Sequence, residues 1–189
     1  MKVITLHTES RIIRKAMQND RKAQQKLFDS YAPKMLGVCR RYIADHYQAE
    51  EVMLNGFLKV FTHLNSFKNE GSFEGWIRKI MVRESLSELR KHKKIQWVEA
   101  DENLRDKEAE LHLDTWAVEA IQNLIDRLPP GYKMIFVLNE IEGYKHQEIA
   151  EMLSISQNTS KTQLRKAKKM LQNFVNASKE IRYESKKQQ

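Results

Sequence analysis

The stretch from Ile155 to Leu171 combines cationic and apolar residues in a pattern that suits phosphate binding. It contains five lysines and arginines and no acidic residue. Leu164, Ala167 and Leu171 recur at helical spacing, which predicts an amphipathic helix with one buried face. Lysine and arginine on the opposite face attract a polyanion and displace its counterions. A solvated, lysine-rich surface is the alternative that the charge alone leaves open.

The residues before this helix predict a helix-turn-helix. Ile149, Ala150 and Leu153 form the inner face of a preceding helix, and a tight turn at 154–156 directs Ile155 inward. The second helix of such a motif enters the major groove with its first residues at base edges. Ser156 or Asn158 is a suitable cap for it. An ordinary helical hairpin with a solvated basic face is the alternative.

The exposed residues of this second helix are the predicted DNA contacts. We expect base or phosphate contacts from Asn158, Lys161, Thr162 and Arg165, and phosphate contacts from Lys166, Lys168 and Lys169.

A second basic helix is predicted from about Phe73 to His92. Its apolar stripe comprises Phe73, Trp76, Ile77, Ile80 and Leu89, so core packing is the expected role of Trp76. The segment at 66–72 before it has the glycine and polar residues of a loop.

The net charge of +8 is unevenly distributed along the chain. Residues 1–94 have 19 basic and 10 acidic side chains, net +9, and residues 116–189 have 12 and 8, net +4. Residues 95–115 have 2 and 7, net −5, and lose the apolar period. We read 95–115 as an acidic linker, with room for one short helix, between domains at 1–94 and 116–189.

Helical spacing of apolar residues continues over most of the chain, and no stretch alternates as a half-buried strand does. We therefore predict an all-α fold of two small helical domains. Pro33 is expected to interrupt the helices of the first half. In the second half, an amphipathic helix from Ala117 to Leu128 stops at Pro129, Pro130 opens the next helix, and Gly143 ends it before two short helices.

The composition excludes several other classes of protein. Cys39 is the single cysteine and lies on an apolar stripe, so it forms no internal disulfide and is expected in the core. No apolar run has the length of a signal peptide or membrane span, and we expect a cytoplasmic protein without membrane insertion. The six histidines lack metal-ligand spacing, and no catalytic motif is present. We expect no metal, no cofactor and no enzymatic activity.

Three segments together resemble the extracytoplasmic-function (ECF) sigma factors of bacterial RNA polymerase. LPPGYKMIFVLNEIEGYKHQEIAEML, at 128–153, with the helix after it resembles the family's C-terminal domain. AEEVMLNGFLKVFTHLNSF, at 49–67, is similar to the segment that binds polymerase and melts the promoter. GSFEGWIRKIMVRESLSELRKHKK, at 71–94, is similar to the strand-separating helix. The resemblance covers nearly the entire chain in the same order.

The resemblance implies a non-enzymatic initiation subunit that binds core RNA polymerase, reads the −35 element as duplex, and melts and captures the −10 element as a single strand. Such proteins are often sequestered by an anti-sigma protein, which is a further implied partner. A pocket for an unstacked base is implied in the melting region, and Phe67 is its candidate wall.

Three sets of residues follow from the resemblance and the charge pattern. The −35 contacts are Asn158, Lys161, Thr162, Gln163, Arg165, Lys166, Lys168 and Lys169. The −10 contacts are Phe67, Lys68 and Asn69 of the 67–71 loop, and Arg78, Lys79, Arg83, Ser87, Arg90 and Lys91 of the basic helix. The polymerase contacts are Glu50, Glu51, Leu54, Asn55, Phe57 and Lys59.

Two departures from the family pattern change these expectations. Leu54 and Asn55 replace the usual pair of glutamine and acidic residue, which implies a more apolar grip on polymerase. Ser160 replaces a usual valine and Gln163 a usual arginine, which implies altered −35 contacts. Gln163 pairs with adenine if it points into the groove. The main rival function is a repressor or activator that binds duplex DNA alone through the helix-turn-helix.

Overall fold

The computed structural model describes residues 6–91 and 117–187, and every regular element in these two ranges is helical. The residues divide into two compact units, with 6–91 in the first and 117–187 in the second. The prediction of an all-α fold is confirmed. The predicted linker at 95–115 lies outside the described residues, so the domain boundaries stay a prediction. Within the described ranges, no helix is long and apolar enough to cross a membrane.

The first unit consists of four α-helices and a short 3₁₀ turn. The helices are α1 (Leu6–Met17), α2 (Arg21–Tyr42), α3 (His46–Thr62) and α4 (Phe73–Lys91), with the 3₁₀ turn at Leu64–Ser66. Asp20 caps α2 by accepting a hydrogen bond from the Ala23 amide, and Asp45 caps α3 through the Gln48 amide. Helices α2, α3 and α4 pack around a core that includes Leu27, and α1 packs on α2.

Helix α2 runs unbroken through Pro33, so the predicted interruption there is wrong. The exposed proline removes one backbone donor, but α2 buries seven residues against its neighbours, and this burial outweighs the lost hydrogen bond. Met35 and Val38 are buried together with Cys39, whereas Leu36 is only half-buried.

Helices α3 and α4 approach closely at Gly56. A Cβ atom at this position would lie 2.3 Å from Sδ of the buried Met81, which is far inside contact distance. Glycine therefore leaves room for the Met81 side chain where α4 packs on α3, and a larger residue would require Met81 to move; the position of α4 matters because it carries the predicted −10 contacts.

The second unit also consists of four α-helices. They are α5 (Ala117–Asp126), α6 (Pro130–Phe136), α7 (His146–Leu153) and α8 (Gln157–Lys187), and a π-helical turn at Val137–Ile141 continues α6. Pro130 occupies the first turn of α6, as predicted. Gly143 follows the π-helical turn with φ of +77°, which agrees with its predicted role as a left-handed stop. Helix α8 has 31 residues, so the expectation of two short helices holds only for α7.

The core of the second unit is built on the first half of α8. Leu128, Tyr132, Ala167 and Phe174 form one buried cluster, so α8 packs on the α5–α6 pair. Ile125 is also buried, whereas Ile121 on the predicted stripe is exposed. Lys133 Nζ lies 2.6 Å from Asp126 Oδ1 with both side chains largely buried, which ties α6 to the end of α5.

Candidate nucleic-acid interface

The helix-turn-helix is formed by α7, a three-residue turn and the start of α8. Ser154 has φ of +56°, and the Ile155 amide donates to the Ala150 carbonyl at 3.0 Å, so the chain reverses immediately after α7. Ser156 Oγ accepts a hydrogen bond from the Thr159 amide at 2.9 Å and is therefore the cap of α8. The predicted motif is confirmed, and Ser156 is the capping residue of the two candidates.

The entry to α7 is held by side-chain hydrogen bonds. Asn139 Nδ2, in the π-helical turn, donates to the Tyr144 carbonyl at 2.8 Å. The Lys145 amide donates to Glu148 Oε2 at 2.8 Å, which caps the first turn of α7. These bonds fix where α7 begins relative to the preceding helix, and so position the whole motif.

The first four turns of α8 present a continuous polar and cationic surface. Its exposed members are Asn158, Lys161, Thr162, Arg165, Lys168 and Lys169, and Lys166 is half-buried. Exposure on one side of a helix is what groove binding requires. DNA contact by these residues stays a prediction.

Lys168 differs from its neighbours because it already has an acidic partner. Its Nζ lies 2.9 Å from Glu140 Oε1 in the π-helical turn, and the two side chains are 51% and 34% exposed. The prediction from sequence treated Lys168 as a free phosphate ligand. In the structure, phosphate must compete with Glu140 for this ammonium group.

Gln163 lies on the buried side of α8 and is only 6% exposed. The prediction that it reads adenine in the groove is therefore wrong for this arrangement of the helix. Position 163 follows buried Ser160 by three residues and precedes buried Ala167 by four, and this spacing places all three on the face that packs against the unit.

Ser160 is fully buried and has a polar partner. His146 Nδ1 in the first turn of α7 lies 2.8 Å from Ser160 Oγ. A hydroxyl in this apolar environment would be costly without a hydrogen bond. No local sequence pattern predicts this contact, because it joins residues 14 positions apart on different helices.

A cavity of about 300 Å³ lies between the 66–72 loop and the start of α4. Its lining includes Phe67, Glu70, Trp76 and Lys79, so aromatic rings and both signs of charge border it. The Phe67 and Trp76 ring centroids are 5.5 Å apart. The prediction that Phe67 forms a wall of a pocket agrees with this position. Trp76 is half-buried and lines the same cavity, so core packing does not describe it fully.

Loop backbone and core packing together keep this cavity open. Gly71 has φ of +116°, a conformation that L-residues rarely adopt, and Asn69 has φ of +60°. Phe73 is buried and stacks on Trp76 at 5.8 Å, and Phe67 meets Phe73 edge to face at 5.1 Å. The aromatic walls are therefore supported from within the core.

One face of α4 continues from the cavity as a cationic track. Trp76, Lys79, Arg83, Ser87 and Arg90 follow each other at intervals of three or four residues and so share this face. Lys79, Arg83 and Arg90 are exposed, and Arg78 and Ser87 are half-buried. Lys68 and Asn69 of the loop and Lys91 at the end of the helix are also exposed, and Lys91 pairs with Glu88 at 3.3 Å.

Helix α3 has an exposed apolar stripe that the sequence analysis identified only in part. Tyr47, Leu54 and Leu58 are 81%, 49% and 67% exposed and lie on one face at intervals of seven and four residues. The predicted contacts Glu50, Glu51 and Asn55 are exposed beside them, and Lys59 pairs with Glu84 of α4 at 2.7 Å. Exposed large apolar residues in a row are typical of a surface that binds another protein.

Phe57 is not available for such a contact. It is 2% exposed and packs edge to face on Phe28 with ring centroids 4.8 Å apart. The prediction of Phe57 as a polymerase contact is therefore wrong, because its side chain completes the core between α2 and α3.

The described ranges contain no group of histidine, cysteine, aspartate or glutamate placed to hold a metal ion. Cys39 is fully buried, as expected, and burial raises the pKa of its thiol to about 11. A thiol with this pKa is almost entirely protonated at neutral pH and is a poor nucleophile.

Both units match family models. Residues 27–95 match sigma-70 region 2, and residues 118–171 match sigma-70 region 4. RNA polymerase sigma factor SigV of Bacillus subtilis is 31% identical over 132 residues, which cover 69% of this chain and 77% of SigV. The ECF RNA polymerase sigma-E factor of Haemophilus influenzae is 25% identical over 184 residues, which cover 89% of this chain and 95% of that protein.

The fold also resembles a solved structure. The sigma factor RpoE of Bartonella quintana, crystallised with the anti-sigma factor NepR, has a TM-score of 0.51 and 16% identity, covering 80% of this chain and 96% of RpoE. The two family models match the two helical units in order, and the sigma factors above match most of the chain. This chain belongs to the ECF family of RNA polymerase sigma factors.

Proposed function

We propose that this protein directs core RNA polymerase to promoters by binding the −35 element with the second unit and opening the −10 element with the first. The observation that carries the proposal is the junction of an aromatic cavity with a cationic track on α4. Strand capture needs both a wall on which an unstacked base can stack and cations that follow the backbone of the same strand.

In the first unit, Phe67 and Trp76 receive the unstacked base. Their ring centroids lie 5.5 Å apart at a tilt of 50°, so the two rings form adjacent walls rather than a parallel sandwich. Stacking on an aromatic side chain contributes about 1–3 kcal/mol per base, which offsets a local unpairing cost of a few kcal/mol. Lys79, Arg83 and Arg90 then follow the phosphates of the captured strand.

In the second unit, the start of α8 reads the −35 duplex. Lys161, Thr162 and Arg165 are exposed on its groove-facing side, and Asn158 precedes them in the first turn. Arginine and threonine reach base edges in the major groove, whereas lysine mainly contacts phosphate and sets the register. The site therefore combines a few base contacts with several positioning contacts.

Helix α3 supplies the contact with core polymerase. Tyr47, Leu54 and Leu58 offer an exposed apolar surface for this contact. The exposed carboxylates of Glu50 and Glu51 border it. Burying two such leucines in an interface contributes on the order of 1 kcal/mol or more each. Leu54→Asp and Leu58→Asp should therefore each weaken holoenzyme assembly by about fivefold or more, and Glu51→Gln is a milder comparison.

Run-off transcription tests the whole proposal. Purified core polymerase with and without this protein is used on genomic fragments, and start sites are mapped. Permanganate then reports unpaired thymines. We expect new start sites and an open bubble only with both components. Protection of intact duplex by the protein alone, with no new transcripts, would favour the rival function of a stand-alone regulator.

This role requires no catalytic group, metal or cofactor in the chain itself. We place the protein in the cytoplasm, where core polymerase and promoter DNA are found. An anti-sigma protein is a further proposed partner, and purification of the tagged protein from uninduced cells tests it. A stoichiometric companion that blocks holoenzyme assembly is the expected result.

A further inference from the structure

The contact between His146 and Ser160 links the two helices of the DNA-binding motif and has no part in the interface proposed above. His146 Nδ1 lies 2.8 Å from Ser160 Oγ, and one of these two groups donates to the other. Ser160 is fully buried and His146 half-buried, so the bond lies inside the motif.

The bond acts at the place where small rotations of α8 matter most. Ser160 lies in the first turn of α8 and directly precedes Lys161 and Thr162. Each residue of an α-helix turns by about 100°. The angle at which Ser160 is held therefore sets the direction in which the next two side chains leave the helix.

The other end of the bond is also fixed. His146 opens α7, and the two residues before it are held by the Asn139 to Tyr144 and Lys145 to Glu148 hydrogen bonds, both 2.8 Å. A run of hydrogen bonds therefore connects the π-helical turn, the start of α7 and the first turn of α8.

We propose that His146 is a positioning residue for −35 recognition: through Ser160 it sets the rotation of α8, and so the direction of Lys161 and Thr162. The proposal rests on the function proposed above.

The identity of the bonded nitrogen gives a sharp test. An asparagine places its amide near the position of Nδ1, whereas a glutamine reaches the position of Nε2. His146→Asn should therefore retain the bond and His146→Gln should lose it. Gln147→Ala is the matched control, because Gln147 is an exposed neighbour on the same helix.

The assay is binding of holoenzyme to a labelled duplex that carries the −35 element and ends before the −10 element, together with single-base variants of that duplex. We expect His146→Gln and Ser160→Ala each to weaken binding about tenfold and to reduce discrimination among the variants. The double variant should be no weaker than either single one. His146→Asn and Gln147→Ala should bind like the wild type.

Two readouts separate positioning from loss of folding. In His146→Gln, thermal unfolding of the free chain should stay cooperative, with its midpoint lowered only as far as the loss of one buried hydrogen bond requires, about 1–3 kcal/mol. Binding of a single-stranded −10 oligonucleotide by holoenzyme should stay near wild type in this variant. Equal −35 binding by the Asn and Gln variants would overturn the inference. Promoter-specific transcripts from wild-type holoenzyme, together with normal −35 binding by His146→Gln, would overturn this inference and leave the proposed function standing. Absence of transcripts with the wild-type protein would overturn the proposed function itself.

Discussion

Neutralising Lys161 and Lys168 should have unequal effects on −35 binding, although both residues are exposed lysines on α8. Lys168 Nζ is 2.9 Å from Glu140, so binding of a phosphate must displace an ion pair. Partly exposed ion pairs contribute about 0.2–1 kcal/mol. Lys161 has no competing carboxylate among the ion pairs described for this unit.

The size of the difference follows from counterion release. Each phosphate contact adds about 0.9 to the slope of log K against log salt. Raising salt fourfold, from about 50 to 200 mM, therefore weakens binding about 3.5-fold per contact, which is about 0.7 kcal/mol. This salt-dependent part of one phosphate contact is similar in size to the free energy of the Glu140 pair, so the pair offsets a large share of what Lys168 would gain from a phosphate.

Fluorescence anisotropy of a labelled −35 duplex with holoenzyme, at several salt concentrations, measures the slope. Lys161→Gln should lower it by about 0.9, and Lys168→Gln by less than half of that. Glu140→Gln should raise both the slope and the affinity at low salt, because it frees Lys168. Equal losses for the two lysine variants would refute this reasoning.

Three further predictions concern the first unit. Trp76→Ala should weaken binding of a single-stranded −10 oligonucleotide by holoenzyme about 5- to 150-fold, because one base loses its stacking partner. Binding of duplex −35 DNA should not change. Unchanged binding of the oligonucleotide would exclude Trp76 from base capture. Gly56→Ala should cost about 1–3 kcal/mol of overpacking in the free energy of unfolding in urea, because its Cβ would lie 2.3 Å from Met81 Sδ, less the ~1 kcal/mol by which alanine favours a helix over glycine. Met81→Ala in the same chain should remove most of the overpacking cost, and a Gly56→Ala chain more stable than wild type by the full ~1 kcal/mol would show that Met81 moves aside without cost. Burial raises the pKa of the Cys39 thiol to about 11, so the unfolded chain loses this proton at a lower pH than the folded chain. The stabilisation is complete below pH 9, and the free energy of unfolding should then fall by about 1.4 kcal/mol per pH unit between pH 9 and 11. Cys39→Ala should flatten this part of the plot of urea stability against pH, and equal slopes for the two chains would count against the buried thiol.

Patterns that depend on neighbours along the chain were predictable from the sequence. Helical spacing of apolar residues located the helices, and the turn at Ser154 with its serine cap is a local signal. The error at Pro33 arose because a proline rule considers one hydrogen bond, whereas the burial of α2 on three other helices decided the outcome.

The side that a residue faces could not always be predicted, because it depends on distant partners. Phe57 and Gln163 lie next to exposed residues in sequence, yet each packs into a core formed by other helices. Trp76 fits an apolar stripe, but only the folded 66–72 loop creates the cavity beside it. The His146 to Ser160 contact and the Glu140 to Lys168 pair likewise join elements whose proximity no local pattern reports.

The length of α4 also limits how many nucleotides its cationic face can span. From Trp76 to Arg90 the helix advances about 21 Å at 1.5 Å per residue. At the 3.4 Å rise of a stacked strand that distance corresponds to about six nucleotides, and an unstacked strand, which extends further per nucleotide, would span it with fewer. In the proposed function the helix therefore sets the size of the melted segment, since it separates the proposed base pocket at one end from the proposed phosphate contact at the other.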